Sequence, residues 1–198
     1  MSSWASWGAD DVAQALSTIE VPWWFAGGWA LDLFVGSSVR EHRDVDVSVF
    51  REDFEAFAAS LDGWESFAAA GGRLELWQTG EPMPEAVHSY WLRPSGSARW
   101  HFEILLEERE NGEWLYRRDR SIRRPLAELV YERRGRRFVR PEIQLLYKAK
   151  ETRAEDRADF DHVVAHLSSQ SGAWLTHALE RLHPGHTWLA ILDASGSG

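Results

Sequence analysis

The stretch FAGGWALDLFVGSSVREHRDVDVSVF, Phe25 to Phe50, decides the fold that we expect for this chain. An apolar run ends at a glycine pair, Gly27-Gly28, and an amphipathic segment follows from Trp29 to Val35. The stretch closes on Asp44 to Val49, where valines alternate with polar residues at the period of a strand. The pattern therefore predicts a strand, a glycine turn, a short helix and a second strand that carries two carboxylates.

Two aspartates, Asp44 and Asp46, lie on one face of this predicted strand, because side chains two residues apart point the same way. Paired carboxylates suit magnesium, which prefers oxygen ligands and usually takes one or two carboxylates beside water and phosphate. Paired ions can stabilise both the attacking and the leaving oxygen of a nucleotidyl displacement. The alternative is two solvent-facing aspartates on a half-exposed strand, since acids alternate on many strand faces.

Gly27 and Gly28 lie between the predicted strand and the predicted helix. Glycine lets the backbone approach a ligand closely, and a helix N-terminus offers N–H groups to phosphate oxygens. A tight strand-to-helix turn would need glycine even without a ligand. The chain contains neither a GxxxxGK[ST] phosphate loop nor a dinucleotide fingerprint.

A third carboxylate is expected from residues 98–108, where apolar side chains alternate with more polar ones. Glu103 is flanked by apolar residues there, as a carboxylate at the edge of a core would be. It could complete a metal site or accept the proton of an incoming hydroxyl. The alternative is an edge-strand glutamate that faces solvent.

The composition limits the class of partner. The net charge of −9 argues against a nucleic-acid partner and suits a cationic small substrate, although solubility alone explains it equally well. Cysteine is absent, which fits a cytoplasmic location, and neither a signal segment nor a membrane span is expected. Twelve tryptophans are unusual, and Trp23, Trp24, Trp29 and Trp91 are candidates for the walls of a cleft.

The other segments indicate an α+β protein. Further strands are predicted at 73–79, 87–93 and 98–108, with a last hairpin over 129–139; residues 64–69 are ambiguous, and residues 1–8 are expected to fray. Helices are predicted at 11–19, 53–61, from Pro141, at 154–167 and at 173–182, with a last turn at 187–192. We expect a mixed core at residues 1–140, a helical C-terminal part at 141–193 and a flexible tail at 194–198.

Four segments, GGWALDLFVG, REHRDVDVSV, WHFEILL and PEIQLLYKAKETRAEDRADF, together resemble the nucleotidyltransferase superfamily. More narrowly, they resemble its aminoglycoside 2″-nucleotidyltransferases and lincosamide nucleotidyltransferases. The resemblance covers residues 25–50 well and recurs at 100–106 and 141–161. It implies a polymerase-β-like fold, in which helices flank a mixed sheet. It also implies an enzyme that moves a nucleoside monophosphate from an NTP to a hydroxyl and releases pyrophosphate. ATP is the expected NTP.

The resemblance also implies roles for single residues. Gly27 and Gly28 are expected to line the triphosphate, and Asp44 and Asp46 to bind Mg²⁺. Glu103 stands where the family usually has aspartate, and we expect it to act as metal ligand, catalytic base or both. A glutamate is one methylene longer, so this departure could also mark altered activity. Gly28 stands where many superfamily members have serine, but the antibiotic-modifying branch often has glycine there.

Basic residues are expected near the phosphates. Arg40 and His42 precede the aspartates, where a cation can meet the leaving pyrophosphate; the alternative is a solvated basic loop. Lys148, on the helix that begins at Pro141, is the phosphate contact that the resemblance implies.

Two further acids, Asp156 and Asp159, are three residues apart and therefore neighbours on one face of a predicted helix. They could line an acidic substrate pocket. We expect them instead to pair locally with Arg153 and Arg157.

The acceptor is expected to be a small cationic or sugar-containing molecule, such as an aminoglycoside or lincosamide antibiotic. The protein is expected to act as a monomer or homodimer, without nucleic-acid or membrane partners. Two alternatives keep the fold. One is a minimal nucleotidyltransferase of a toxin–antitoxin system that modifies a protein or an RNA. The other is a non-catalytic module that binds a nucleotide, which a glutamate at position 103 would favour.

Overall fold

The computed structural model describes residues 3–195, and the chain forms two compact units. The first unit contains the chain up to Trp29 together with His42–Leu126. The second contains Ala30–Glu41 and the chain from Ala127 onwards. The predicted boundary near residue 140 falls inside the second unit, between a hairpin and a helix.

The strands are β1 (Ser3–Trp4), β2 (Trp23–Phe25), β3 (Asp46–Phe50), β4 (Trp64–Ala70), β5 (Arg73–Trp77), β6 (Ser89–Pro94), β7 (Arg99–Trp100), β8 (Phe102–Glu110), β9 (Glu113–Leu115), β10 (Arg123–Pro125), β11 (Val130–Arg133) and β12 (Arg136–Val139). The α-helices are α1 (Ala9–Ala15), α2 (Gly27–Val35), α3 (Phe54–Ala59), α4 (Pro141–Lys148), α5 (Ala154–Val163), α6 (Ser169–Leu182) and α7 (Thr187–Ser195). Short 3₁₀ turns lie at Arg51–Asp53, Leu126–Glu128, Ala149–Glu151 and Val164–His166.

A mixed sheet forms the first unit, with strand order β2-β3-β8-β6-β4-β5. Strands β3 and β8 run parallel, and every other neighbouring pair in this order is antiparallel. Strand β9 continues antiparallel from β8, and β10 pairs with β9. The mixed sheet together with the helices confirms the predicted α+β class.

The alternating pattern of the sequence explains which face of this sheet is buried. Val47 and Val49 of β3 and Phe102 and Ile104 of β8 have no exposed surface. Helix α3 packs onto the sheet through Phe54, whose ring stacks on Tyr90 of β6 at 4.1 Å between centroids. One face of β3 and β8 is therefore core, and the other face can carry polar side chains.

The N-terminal segment differs from the prediction of fraying. Strand β1 pairs in parallel with β7, and the ring of Trp7 lies 4.5 Å from that of His101. Aromatic packing of this kind orders a segment that has little strand pattern of its own. The prediction is therefore wrong for residues 3–8, and residues 1–2 lie outside the described part of the chain. The ambiguous segment 64–69 is β4, and β9 and β10 were not predicted.

Helix α2 ends as its sequence predicts. Gly36 has a positive φ of 90°, and its N–H donates to the carbonyl oxygen of Asp32 at 2.7 Å. Arg133 of β11 donates from Nη1 to the carbonyl oxygen of Phe34 at 2.8 Å. A glycine in the left-handed region and a cation at the last carbonyls are both favourable at a helix C-terminus.

The second unit packs its helices around α4, which begins at Pro141 as predicted. Ile143, Leu145 and Leu146 are fully buried, and the rings of Phe160 and Trp188 stack at 4.2 Å. Helix α7 runs to Ser195, so the first two residues of the predicted tail are helical, while residues 196–198 lie outside the described chain. Within residues 3–195, no helix is both long and apolar enough to cross a membrane.

Candidate active site

Asp46 and Glu103 lie side by side on the polar face of the first unit's sheet. They are directly paired in the parallel register of β3 and β8, and the Glu103 N–H donates to the carbonyl oxygen of Val45 at 2.9 Å. Paired residues on neighbouring strands project to the same face. The two carboxylates that the sequence analysis selected from distant segments are therefore neighbours.

Gly27 brings the start of α2 against the Asp46 carboxylate. Its φ is 62°, and a Cβ atom at residue 27 would lie 2.8 Å from Cγ of Asp46 and would overlap Oδ2. The N–H of Ala26 donates to the carbonyl oxygen of Asp46 at 2.9 Å, which fixes the approach. Only glycine permits this contact, and it places a carboxylate where the positive end of the helix dipole favours negative charge.

Asp44 does not lie on the strand, because β3 begins at Asp46. The prediction that both aspartates project from one strand face is therefore wrong for Asp44, which occupies a bend just before β3. Its charge still acts on Glu103 and raises the pKa of that carboxyl. The three acids therefore share one region of the first unit.

Glu103 is half-buried, and its pKa is raised to about 7. Burial is the largest cause, because desolvation disfavours the charged carboxylate, and the nearby Asp44 charge acts in the same direction. Hydrogen bonds from the side chains of Ser89 and Trp91 oppose these effects and lower the pKa. A carboxyl with a pKa near neutrality is suited to accepting and releasing a proton.

Magnesium is the metal ion predicted for these carboxylates. Within residues 3–195, no group of three or more His, Asp or Glu side chains is arranged to hold a metal ion. Magnesium usually needs only one or two protein carboxylates, with water and phosphate in the other positions. Asp46, beside the α2 N-terminus, can supply one such carboxylate, and Asp44 and Glu103 as further ligands stay predictions.

Gly28 and His42 are the remaining predicted site residues of the first unit. Gly28 is the buried second residue of α2, and Trp29 follows it. The ring of His42 lies 5.0 Å from the ring of Trp29. The expected contacts of Gly28 and His42 with a triphosphate stay predictions.

The two predicted cations of the second unit, Arg40 and Lys148, share a carboxylate. Arg40 donates from Nε and Nη2 to the two Asp159 oxygens at 2.7 and 2.8 Å. Lys148 Nζ lies 2.9 Å from Asp159 Oδ2 and 2.8 Å from Asp156 Oδ1. Both acids are only 2% exposed, so this is a buried charge cluster.

The expected local pairing on α5 is half right. Asp156 pairs with Arg153 at 2.9 Å, as predicted. Asp159 pairs with Arg40 and Lys148 instead of Arg157, which contacts Asp161 one helical turn further on at 3.1 Å. The long-range partners could not be seen from helical spacing.

Two side chains next to Glu103 were not predicted as its partners. Ser89 and Trp91 line a cavity of about 360 Å³ together with Glu103. Trp91 was a candidate cleft wall, whereas no signal in the sequence selects Ser89. Of the other candidate tryptophans, Trp24 is core, with 1% of its surface exposed.

The fold is similar to that of known nucleotidyltransferases. The sequence model of the aminoglycoside-2''-adenylyltransferase family matches residues 10–67, which include α2, Asp44 and β3. No curated protein matches the sequence significantly.

Solved structures extend the likeness beyond the matched residues. The lincosamide antibiotic adenylyltransferase LnuA, in its lincomycin-bound form, shares 18% identity at a TM-score of 0.53, over 78% of this chain and 92% of LnuA. The solution structure of the antibiotic-resistance factor ANT(2'')-Ia shares 16% identity at a TM-score of 0.54, over 93% of this chain and 92% of ANT(2'')-Ia. The crystal structure of ANT(2'')-Ia in complex with adenylyl-2''-tobramycin shares 14% identity at a TM-score of 0.53, over 87% of this chain and 95% of ANT(2'')-Ia. These likenesses confirm the fold and the resemblance predicted from the sequence.

We expect Gly27→Ala to destabilise the protein by about 2–4 kcal/mol, because the new methyl group meets both an unfavourable φ and the Asp46 carboxylate. Urea unfolding measures this change. Gly63→Ala is the matched control, since Gly63 has a φ of 75° but no atom within 4 Å of the position of the added Cβ. Gly63→Ala should cost only about 1–2 kcal/mol. Equal losses for both variants would contradict the close contact at Gly27.

We expect Asp156→Asn to lower the free energy of unfolding by about 3 kcal/mol at pH 7, because it breaks a buried ion pair with Lys148. Burial raises the Asp156 pKa, but hydrogen bonds from Arg153 and Lys148 outweigh burial and lower the pKa to about 2. The folded-state pKa is therefore below the unfolded value of 3.8, so the stabilisation is present above pH 3.8 and disappears as the pH falls towards 2.

Unfolding measured between pH 7 and pH 2 checks this dependence. The control is Asp161→Asn on the same helix. The Asp161 side chain is 56% exposed and pairs with Arg157. This variant should change stability by less than about 0.5 kcal/mol. A difference between wild type and Asp156→Asn that stays constant down to pH 2 would argue against the ion pair.

Proposed function

We propose that this protein is a magnesium-dependent nucleotidyltransferase, which moves a nucleoside monophosphate from an NTP to a hydroxyl of a small antibiotic. The observation that carries the proposal is the pairing of Asp46 with Glu103 at the N-terminus of α2. One of these carboxylates sits against a helix start, and the other has a pKa near neutrality. These are the two properties needed for holding a metal–triphosphate and for accepting a proton.

The proposed reaction is a single displacement. The acceptor oxygen forms a bond to the α-phosphorus, the bond from that phosphorus to the bridging oxygen breaks, and pyrophosphate leaves. Glu103 takes the proton of the attacking hydroxyl. When bound, magnesium supplies charge neutralisation of the phosphates and of the developing negative charge. Asp44 and Asp46 would hold it, and the backbone at Gly27 and Gly28 would line the triphosphate.

The environment of Glu103 supports its role as the base. In water a carboxylate is a weak proton acceptor at neutral pH, because its ordinary pKa is 4.5. General-base catalysis is most effective when the pKa of the base lies near the working pH, and the raised pKa of Glu103 meets this condition at neutral pH.

Arg40 and Lys148 are proposed to contact the phosphates. In the structure both cations are held by Asp159, and Lys148 also by Asp156. The bond of Asp159 to Arg40 and the electrostatic attraction of both cations lower the Asp159 pKa despite burial, so the acid stays charged. A phosphate contact by either cation therefore requires it to exchange or share this carboxylate partner.

The proposed acceptor follows from the relatives and from charge. LnuA was solved with lincomycin bound, and ANT(2'')-Ia with adenylyl-2''-tobramycin, so both proteins handle antibiotics. The net charge of −9 favours cationic molecules, of which the aminoglycosides are the strongest example. The names of the relatives support ATP as the nucleotide donor.

The proposal is tested with purified protein, magnesium, each of the four common NTPs and a panel of aminoglycosides and lincosamides. We expect pyrophosphate release with at least one pair and a matching mass increase of the acceptor. Asp46→Asn should abolish transfer and keep the fold, because it removes a charge from the proposed metal site. Asp62→Asn, at an exposed aspartate, is the control. Absence of transfer with every pair, or label entering protein or RNA instead, would reject the antibiotic acceptor.

Replacement of Glu103 tests the base separately. We expect Glu103→Gln to lower kcat by about 10²–10⁴-fold, the usual contribution of general-base catalysis, with little change in the KM for nucleotide. Glu103→Asp keeps the charge and is the companion variant. An unchanged kcat in Glu103→Gln would assign proton acceptance to another group.

A further inference from the structure

Two short side chains leave open space beside Glu103 on the polar face of the first unit's sheet. Ser89 of β6 pairs with Leu105, which is two residues from Glu103 on β8. Ser89 therefore projects to the same face as Glu103. On its other side Ser89 pairs with Ala69 of β4, and Ala69 pairs with Leu74 of β5. The space above Ser89 and Ala69, between the two leucines, forms a notch in this face.

The neighbouring row of the sheet is a wall along the notch, because its side chains are large. Trp91 of β6 pairs with Glu103 on one side and with Phe67 of β4 on the other. The Trp91 ring lies 4.8 Å from the ring of Trp4. Tilted aromatic contacts of this kind prefer particular ring orientations. An aromatic row thus stands beside a row of small residues, with Glu103 at its end.

The notch belongs to the cavity of about 360 Å³ that Glu103 lines. Ala69, Ser89 and Trp91 line this cavity, and so does the β4–β5 turn at Gly71-Gly72. The volume is at the lower end of the range for small-molecule pockets. The cavity is therefore suited to one ring of a ligand, which would meet apolar side chains and have the Glu103 carboxylate within the same space.

The cavity has few charges. Among the residues that line it in the described part of the chain, Glu103 is the one carboxylate and Arg73 is the one cation. Glu103 is the proposed acceptor of the hydroxyl proton, and Asp46, paired with it on β3, is a proposed magnesium ligand. An ammonium group that entered the cavity would lose water, would be repelled by Arg73 and would find no further carboxylate in the lining.

We propose that this cavity is the subsite for the hydroxyl-bearing ring of the acceptor, and that Ala69, Ser89 and Arg73 select a ring without an ammonium group. This proposal rests on the proposed function, in which Glu103 accepts the proton of the hydroxyl. The small side chains admit the ring, and Arg73 disfavours a charged one. The positive groups that the net charge of −9 attracts then lie on other parts of the acceptor.

The two antibiotics of the solved relatives differ in this property. The sugar ring of lincomycin carries no charged group, whereas every ring of tobramycin carries an amino group. Lincomycin therefore fits the cavity better, and wild-type protein should have the higher kcat/KM with lincomycin. A wild-type preference for tobramycin would overturn the selection of an uncharged ring.

Filling the notch tests its role in acceptor binding. We expect Ala69→Leu to lower kcat/KM for lincomycin by about ten- to a hundredfold, the usual effect of a few methylene groups in a substrate pocket. Ser89→Val fills the same notch with a residue that strands favour, and it should act in the same direction. For both variants the KM for nucleotide and the melting temperature should stay close to wild type.

Ala68→Leu is the matched control for Ala69→Leu. Ala68 is the preceding residue of β4, is also half-buried and projects to the opposite face of the sheet. It should keep the wild-type kcat/KM for lincomycin. Equal losses in Ala68→Leu and Ala69→Leu, or no loss in Ala69→Leu, would overturn the proposed subsite.

Reversing the charge at Arg73 tests the selection by charge. We expect Arg73→Glu to shift the ratio of kcat/KM values for lincomycin and tobramycin about tenfold towards tobramycin, because a carboxylate attracts the ammonium groups that Arg73 repels. Arg99→Glu is the control, since it changes the net charge equally at an exposed residue outside the cavity lining. An unchanged ratio in Arg73→Glu, or an equal shift in Arg99→Glu, would contradict selection by Arg73.

Calorimetric titration with lincomycin, with and without a non-hydrolysable ATP analogue, needs no turnover and separates this proposal from the proposed function. Wild type and Ala68→Leu should bind equally, and Ala69→Leu should bind at least about tenfold more weakly. That result together with no nucleotide transfer would show that the cavity binds the ring while the proposed function fails. Transfer to lincomycin with equal binding by wild type and Ala69→Leu would keep the proposed function and overturn the subsite. Absence of lincomycin binding to wild type would also overturn it.

Discussion

The close contact between Gly27 and the Asp46 carboxylate is the constraint on which the rest of the first unit depends. The contact needs a residue without Cβ at a positive φ, and it needs β2 and β3 in antiparallel register so that Ala26 can bond to Asp46. Once β3 is fixed in this way, its parallel pairing with β8 brings Glu103 opposite Asp46. The register of β3 and β8 thus decides which distant carboxylate lies beside Asp46.

The elements around this contact could be predicted because their signals are local. Alternating valines predict β3, the glycine pair predicts a turn into α2, and Pro141 marks the start of α4; the structure contains all three. Glu103 could be selected because a carboxylate inside an apolar alternation is unusual. The parallel pairing that joins it to Asp46 was not predicted, since periodicity carries no information about strand partners.

What the sequence could not predict depends on tertiary contacts. The start of β3 at Asp46, not Asp44, is set by where pairing with β2 and β8 begins. Asp159 bonds to Arg40, 119 residues away, in preference to Arg157 on its own helix. Strand β1 is ordered by aromatic neighbours from β6 and β7. In each case a long-range partner outweighs the local pattern, and nothing in the spacing identifies that partner.

The surroundings of Glu103 act on the pKa of its carboxyl group in opposite directions. Burial and the Asp44 charge raise the pKa, which a base needs near neutral pH. The polar side chains of Ser89 and Trp91 act the other way and lower the pKa. Burial is the largest effect, so the pKa stays near 7 although two polar neighbours lie beside the carboxyl group. A more exposed glutamate would have a lower pKa and would accept a proton less efficiently near neutral pH.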